Sequence, residues 1–237
     1  MNKLAVVTGG SRGIGYAIAR ALACDGYDIL LIARTPDPLR AAAASLAREG
    51  ITVVPLAVDL TDNDAVCAAF TSCELLRRPV DVLVNAAGVF MYGTTGLSSQ
   101  DMSALFRANI ISIHHVCSLL REHLIRAGRS HMINLSSVAG LQGFPHTGGY
   151  CATKHAIAGY SQSLAEELRH DNVFVTTLYP DVVDTDMSAA ADMDNALMIP
   201  TSDVAKTVQF ILSLSENTYI GEMALRCAGV SSDALSR

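Results

Sequence analysis

Leu4-Ala-Val-Val-Thr-Gly-Gly-Ser-Arg-Gly-Ile-Gly15 begins as a continuous apolar run and breaks into a cluster of glycines. Ile14, Ala17, Ile18, Ala21 and Leu22 then recur on one side of a helical pattern that reaches about Cys24. Strand, glycine-rich turn and helix, in that order, aim backbone N–H groups and a helix N-terminus at a phosphate. Gly9 and Gly13 let the backbone turn tightly and approach a ligand, and Gly15 removes a Cβ where helix meets strand. The spacing is G-x-x-x-G-x-G, which differs from the G-x-G-x-x-G of the longer dinucleotide-binding turns.

The pattern repeats along the chain. Asp28–Ile32, Thr52–Val58, Val80–Asn85, His131–Leu135, Val173–Leu178 and Met223–Cys227 read as further strands. Between them lie helical patterns at about Pro36–Glu49, Asp62–Arg77, Ser98–Ala127, Gly148–His170 and Thr201–Leu214. Strands that are apolar almost throughout, alternating with helices, predict a parallel sheet covered on both faces. The expected fold is an α/β, Rossmann-type doubly wound sheet of about seven strands. No composition break divides it, so residues 1–237 are read as a single dinucleotide-binding domain, with a substrate loop at about 181–200.

Composition narrows the function classes. Half of the 237 residues are hydrophobic and the formal net charge is -6. No long Lys/Arg run argues for a nucleic-acid surface, and no apolar stretch reaches membrane-spanning length. No signal-peptide or lipidation pattern is read, and the expectation is a soluble cytoplasmic protein. Six cysteines form no C-x-x-C and no zinc-ligand spacing with histidine, so reduced thiols and no metal are expected. The tail after Gly229 is polar and expected to be loose.

The end of the second strand bears on the cofactor. An acidic residue there commonly holds the ribose 2′-OH of NAD. This chain reads Ile32-Ala33-Arg34 instead. Arg34 offers a planar fork of donors to a 2′-phosphate, and Arg12 in the glycine turn approaches the same group. Asp37 is a rival for the ribose, but it lies past Pro36 at the start of the next helix. NADP(H) is therefore expected over NAD(H).

Tyr150 and Lys154 stand four residues apart in a helical segment, hence on one face. An ammonium beside a phenol favours the phenolate, and a lowered phenol pKa suits acid–base work on a carbonyl oxygen.

Taken together, Thr8 to Gly15, Asp59-Leu60, Asn85-Ala-Ala-Gly88, Asn109, Ser136-Ser137, Tyr150-x-x-x-Lys154 and Pro180 through Met187 resemble the short-chain dehydrogenase/reductase family in its compact form. The resemblance covers essentially the whole chain and includes carbonyl reductases and 3-oxoacyl carrier-protein reductases. It implies Tyr150 as the catalytic acid/base and Lys154 as the residue that lowers its pKa and holds the nicotinamide ribose. Ser137, thirteen residues before Tyr150, matches the serine that hydrogen-bonds the substrate carbonyl, with Ser136 as the neighbouring alternative. Asn109 matches the residue that kinks the long helix and holds a water of the proton relay. Ser11, Arg12 and Ile14 belong to the phosphate turn. Asp59 and Leu60 match adenine contacts, and Asn85, Ala86, Ala87 and Gly88 match the turn lining the adenosine ribose. Pro180, Val183 and Thr185 match contacts to carboxamide and phosphates. Asp181 departs from the Pro-Gly usual after that strand, which raises the question of an unusual φ or a carboxylate beside the nicotinamide.

The activity implied is hydride transfer between NADP(H) and a carbonyl or alcohol carbon, on a small-molecule carbonyl substrate. Candidate pocket residues are Phe90, Met91, Tyr92, Leu141, Gln142, Phe144, His146 and the loop Val183–Ile199 with its methionines. Little fixed positive charge among them favours a neutral, largely apolar ketone or aldehyde. A carrier-bound 3-oxoacyl thioester is the alternative, with Arg121, Arg126, Arg129 and Arg169 as docking candidates. A dinucleotide-binding sensor or scaffold without catalysis is the alternative from another class. The resemblance also implies a homodimer or homotetramer built through the helices carrying Asn109 and Tyr150.

Overall fold

The computed structural model describes residues 2–48, 50–189 and 193–229. Seven strands form one parallel sheet: β1 (Leu4–Thr8), β2 (Asp28–Ala33), β3 (Val53–Ala57), β4 (Val82–Asn85), β5 (Ser130–Leu135), β6 (Val173–Pro180) and β7 (Glu222–Leu225). Their spatial order is β3-β2-β1-β4-β5-β6-β7, and every neighbouring pair is parallel. The order reverses between β1 and β4, and in such sheets ligands bind at the carboxyl ends beside that point.

The strands read as apolar runs because both faces are covered. In β1, Ala5 and Val7 face one core while Leu4 and Val6 face the other. The first core is closed by α1 (Gly13–Cys24), α2 (Pro36–Leu46) and α7 (Thr201–Leu212), through Ile18, Leu22, Leu39, Val204, Val208 and Ile211. The second is closed by α3 (Asn63–Ser72), α5 (Ser112–Ile125) and α6 (Gly148–Leu168), through Val66, Phe70, Val116, Leu120 and Ile157. Among the described residues, no helix is long and apolar enough to cross a membrane.

Several boundaries differ from the sequence reading. The second helix stops at Leu46, because Ala47 turns extended and Arg48 reaches the Ala23 carbonyl at the end of α1. Glu49 lies outside the described residues. The third helix breaks at Cys73 and resumes as a short 3-10 turn, Glu74–Arg77. β3 keeps Pro55 because it is an edge strand, where a missing N–H is tolerated. The long fourth helix runs as α4 (Ser99–Phe106), a π-helical turn (Arg107–Ile111) and α5. Asn109 sits at the middle of that π turn, where the sequence placed a kink. Of the expected substrate loop, residues 190–192 lie outside the described set, as does the tail from 230 onward.

Candidate active site

The glycine turn, Asp59-Leu60, Ala86–Gly88, Ser136-Ser137 and the segment after Pro180 each follow the end of a parallel strand, at the carboxyl edge of the sheet. The glycine turn follows β1 and leads into the N-terminus of α1. Gly9 has φ +67, and a Cβ there would lie 2.8 Å from the Ala87 nitrogen. A Cβ on Gly15 would collide with the Gly9 carbonyl. The turn thus packs against the chain leaving β4 with no side chain in the way, and the orphan N–H groups of α1 remain available to an anion.

The turn after β4 is held by a residue to which the sequence reading gave no role. Thr8 Oγ1 accepts from the Ala86 and Ala87 N–H groups at 3.1 and 3.2 Å. Asn85 itself points into the core: its Nδ2 donates to Asn134 Oδ1 at 2.8 Å, and Asn134 Nδ2 donates to Ser161 Oγ at 2.8 Å. This ladder ties β4, β5 and α6 together, so Asn85 supports the site from beneath. Ala86 packs against the core as well, leaving Ala87 and Gly88 to face the cleft.

A cleft of about 150 Å³ lies beside the turn, lined by Gly9, Arg34, Asp59, Leu60, Ala87 and Gly88 among others. Asp59, Leu60, Ala87 and Gly88, the residues expected around an adenosine, are thus brought together. Asp59 accepts from the Thr61 N–H and hydroxyl at 2.9 and 2.8 Å. Those bonds, the backbone one foremost, outweigh burial and with Arg34 nearby hold its carboxyl below the usual range. Arg34 is exposed and has no carboxylate bound to it among the described residues. Asp37 pairs with Arg40 on the outside of α2. Arg12, expected near a phosphate, is paired with Asp186, on the segment after β6, at 2.9 Å. A broader groove of about 780 Å³ runs on past Thr61, Val89 and Ala108 to Met91, Ser103 and Arg107. Met91, a candidate pocket residue, lines this groove with Ser99, Gln100, Ser103 and Ala104 of α4.

Tyr150 and Lys154 stand on the first turns of α6. Lys154 is 7% exposed, and its Nζ donates to the Leu135 carbonyl at 2.9 Å and lies 5.4 Å from the Tyr150 ring centroid. Burial lowers its pKa to about 8. Burial also pushes the Tyr150 phenol up to about 12; contact with the Ser137 side chain acts downward and Cys151 upward. The lowering expected from a neighbouring cation is not what the chain's own residues produce. Desolvation penalises both charged forms, and here it dominates.

The two serines divide cleanly. Ser136 is buried, and its hydroxyl donates to the Lys154 carbonyl at 2.8 Å, locking β5 to α6. Ser137 is only half-buried, caps the short turn Val138–Gly140 by accepting from Ala139 N at 3.2 Å, and is the one in reach of the phenol.

Asn109 is fully buried. Its Oδ1 accepts from Val89 N at 2.8 Å, and its Nδ2 donates to Val89 O at 2.9 Å and Thr153 Oγ1 at 3.1 Å. Both amide hydrogens are committed, so the side chain builds the wall behind Gly88 and Lys154, with Gly88 packed between them. Thr153 completes this arrangement by donating to the Tyr150 carbonyl at 2.8 Å. It was missed although it lies inside the Tyr150–Lys154 motif, at i+3 from the tyrosine and so on the same face.

After β6, Val183 is buried in the core and bridges Ile199, so any contact with a ligand falls to its main chain. Thr185 forms a reciprocal capping box with Ser188, and its methyl lies opposite Gly13. Pro180 ends β6 beside Leu225. Asp181 is not among the residues with positive φ. Its carboxylate accepts from Val182 N at 3.1 Å and Cys227 N at 3.5 Å, tying the ends of β6 and β7 together. No left-handed backbone is needed where relatives place glycine, and the carboxylate has local partners.

The sequence model described as short chain dehydrogenase matches residues 3–196. The chain belongs to that family. The 3-oxoacyl-(acyl-carrier-protein) reductase FabG of Chlamydia trachomatis is 35% identical over 190 residues, covering 79% of this chain and 77% of the relative. Among solved structures, an alcohol dehydrogenase from Thermococcus sibiricus complexed with 5-hydroxy-NADP superposes with a TM-score of 0.88 at 29% identity, covering 98% of this chain and 99% of the other. The L-sorbose reductase of Gluconobacter frateurii complexed with NADPH and L-sorbose gives 0.86 at 25% identity, covering 95% of each. As a short-chain dehydrogenase the protein is an oxidoreductase, and its neighbours' complexes point to a nicotinamide cofactor. The glycine cradle, the helix N-terminus and the small cleft after β2 and β3 fit such a dinucleotide.

Proposed function

We propose that the protein reduces a neutral, largely apolar ketone or aldehyde with NADPH. The observation that carries the reading is the convergence of Tyr150, Ser137 and Lys154 at the carboxyl edge, two strands over from the glycine cradle. Bound there, NADPH would supply the hydride. The residues supply orientation and the proton. A phenol is protonated at neutral pH, the form from which it can give a proton to a carbonyl oxygen. In this reading Tyr150 protonates the carbonyl oxygen as hydride reaches its carbon. Ser137 donates to the same oxygen as charge develops. Lys154 recharges the tyrosine and holds ribose hydroxyls, and Asn109, whose amide is occupied by Val89 and Thr153, fixes the wall beside them.

The preference for NADPH rests on exposed Arg34 at the adenosine cleft and on the absence of a carboxylate at the end of β2. An apolar substrate fits the surface chemistry. Of seven large apolar side chains exposed among the described residues, Tyr92, Leu141, Met187 and Leu197 stand on loops leaving β4, β5 and β6 at the site's edge. The likeness to the chlamydial reductase favours a second reading, a 3-oxoacyl thioester substrate. The four arginines considered for carrier docking argue less for it. They lie toward the amino edge of the sheet, and they engage Glu122, Glu167 and Asp171 (Arg121), His123 (Arg126), the Ser215 and Glu216 carbonyls (Arg129) and Glu166 (Arg169).

Assembly through α4, α5 and α6 is proposed for the same protein. His114 and Tyr160 join α5 to α6 at 2.9 Å, and Ile111 is 47% exposed on the π turn. Sizing in solution tests it; a monomer would contradict it. For activity, the test is NADPH oxidation over a panel of aryl and alkyl ketones, diketones, quinones, aldehydes, sugar ketones and 3-oxoacyl esters. Turnover is expected on the neutral apolar members. Turnover confined to 3-oxoacyl esters would replace the first reading with the second. Tight NADPH binding without any turnover would replace both with a non-catalytic role.

A further inference from the structure

The segment Val89–Gly93 is clamped at both ends. At one end the N–H and carbonyl of Val89 are both bonded to the Asn109 amide, at 2.8 and 2.9 Å. At the other end Gly93 N donates to the His146 carbonyl at 2.6 Å, and Gly93 O accepts from Gly149 N at 3.2 Å. Thr94 Oγ1 adds a bond from Gly148 N at 3.0 Å. His146 adopts φ 60, an uncommon conformation for a residue with a Cβ, while offering that carbonyl. The second clamp is therefore made to the loop that begins α6, one residue before Tyr150.

Phe90 lies between the two clamps. Its ring meets the Tyr150 ring edge-on, with centroids 4.9 Å apart and planes at 71°. The Tyr92 ring also meets the Phe90 ring edge-on, at 4.7 Å and 88°. Such pairs prefer this geometry and fix ring orientation beyond simple contact. We infer that Phe90 is a positioning residue for Tyr150: clamped by Asn109 and the start of α6, it covers the phenol from water and sets the angle of its ring. The inference rests on the reading of Tyr150 as the proton donor. It also gives the buried Asn109 amide a way to act on the reaction, through Val89 and Phe90.

The test is the pH profile of kcat in Phe90→Ala, Phe90→Leu and Phe90→Tyr, with a carbonyl substrate from the panel. Opening the phenol to water should move the alkaline limb of Phe90→Ala down by about one pH unit, a roughly tenfold change in ionisation. Its kcat should fall roughly tenfold while the NADPH Kd, which also reports folding, stays within about twofold. In the unliganded protein, the NMR signal of the Tyr150 phenol carbon should begin to titrate at lower pH than in the parent. Phe90→Leu keeps an apolar cover and should hold the limb but lose several-fold in kcat, and Phe90→Tyr should restore it. If Phe90→Ala does not fold, the Leu and Tyr variants carry the test through kcat. An unmoved limb and phenol signal in Phe90→Ala, a loss confined to KM, or equal kcat in Phe90→Leu and Phe90→Tyr would overturn the inference. Turnover surviving in Tyr150→Phe would instead overturn the proton-donor reading beneath it.

Discussion

Thr8→Val removes one oxygen from a residue 1% exposed and leaves its shape almost unchanged. Valine suits a central strand, so β1 should persist. What is lost is the acceptor for the Ala86 and Ala87 N–H groups, together with a long 3.4 Å bond to the Val84 carbonyl. A buried donor left without a partner costs about 1–3 kcal/mol. Both amides are only partly buried, so the low end applies, and the sum is about 2 kcal/mol. For a chain of this size that lowers Tm by about 4–8 °C. Hydrogen exchange gives the local readout: protection of the Ala86 and Ala87 amides should fall about fivefold each, matching about 1 kcal/mol per amide. The same turn lines the small cleft, so NADPH affinity should fall several-fold. Thr8→Ser keeps the hydroxyl and should retain amide protection and affinity, losing only the roughly 0.8 kcal/mol of a buried methyl. Parental protection and Tm in Thr8→Val would refute the reasoning that this hydroxyl organises the turn.

Further expectations follow from the charged groups. Arg34→Asp should weaken NADPH binding by roughly 10- to 100-fold, the loss of a charge-assisted contact, while NADH binding holds or improves; equal loss for both cofactors would remove Arg34 from the 2′-phosphate. Asp186→Asn should free Arg12 and tighten NADPH a few-fold without affecting NADH. Both partners are more than 70% exposed, so stability should change by no more than about 0.5 kcal/mol in a melt. Lys154 has a folded pKa of about 8 against 10.5 for an ordinary lysine, so burying its cation costs stability in full below pH 8, and the cost fades between pH 8 and 10.5. Lys154→Met should therefore be inactive yet roughly 2 kcal/mol more stable at pH 7, after allowing for the lost bond to the Leu135 carbonyl, with the gain shrinking as pH rises through that window. Urea titrations at several pH values measure it.

The sheet was legible because uninterrupted runs such as Leu4–Val7 and Ile29–Ile32 have few other places to go than between two helical layers. The pairing of Tyr150 with Lys154 was legible from helical spacing alone. Contacts that depend on the closed fold were not. Arg12 and Asp186 are 174 positions apart, and no local pattern announces that they meet. Nor does a local pattern announce that the Asn109 amide bonds Val89 and Thr153, 20 and 44 positions away. The phenol's pKa was read from its neighbour's charge. Burial, which only the fold can set, reverses the direction. The end of α2 was set three residues late, at Glu49, because the Arg48 contact with Ala23 lies in tertiary structure.

The central claim is that Tyr150 gives the proton. Its most direct test is single-turnover NADPH oxidation by Tyr150→Phe, which keeps the ring, its packing against Phe90 and the apolar cover, and removes only the hydroxyl. The rate should fall by about a hundredfold to ten-thousandfold, the range for a general acid, while NADPH Kd stays within about twofold. Hydride transfer within about tenfold of the parent rate, with the cofactor bound normally, would contradict the account.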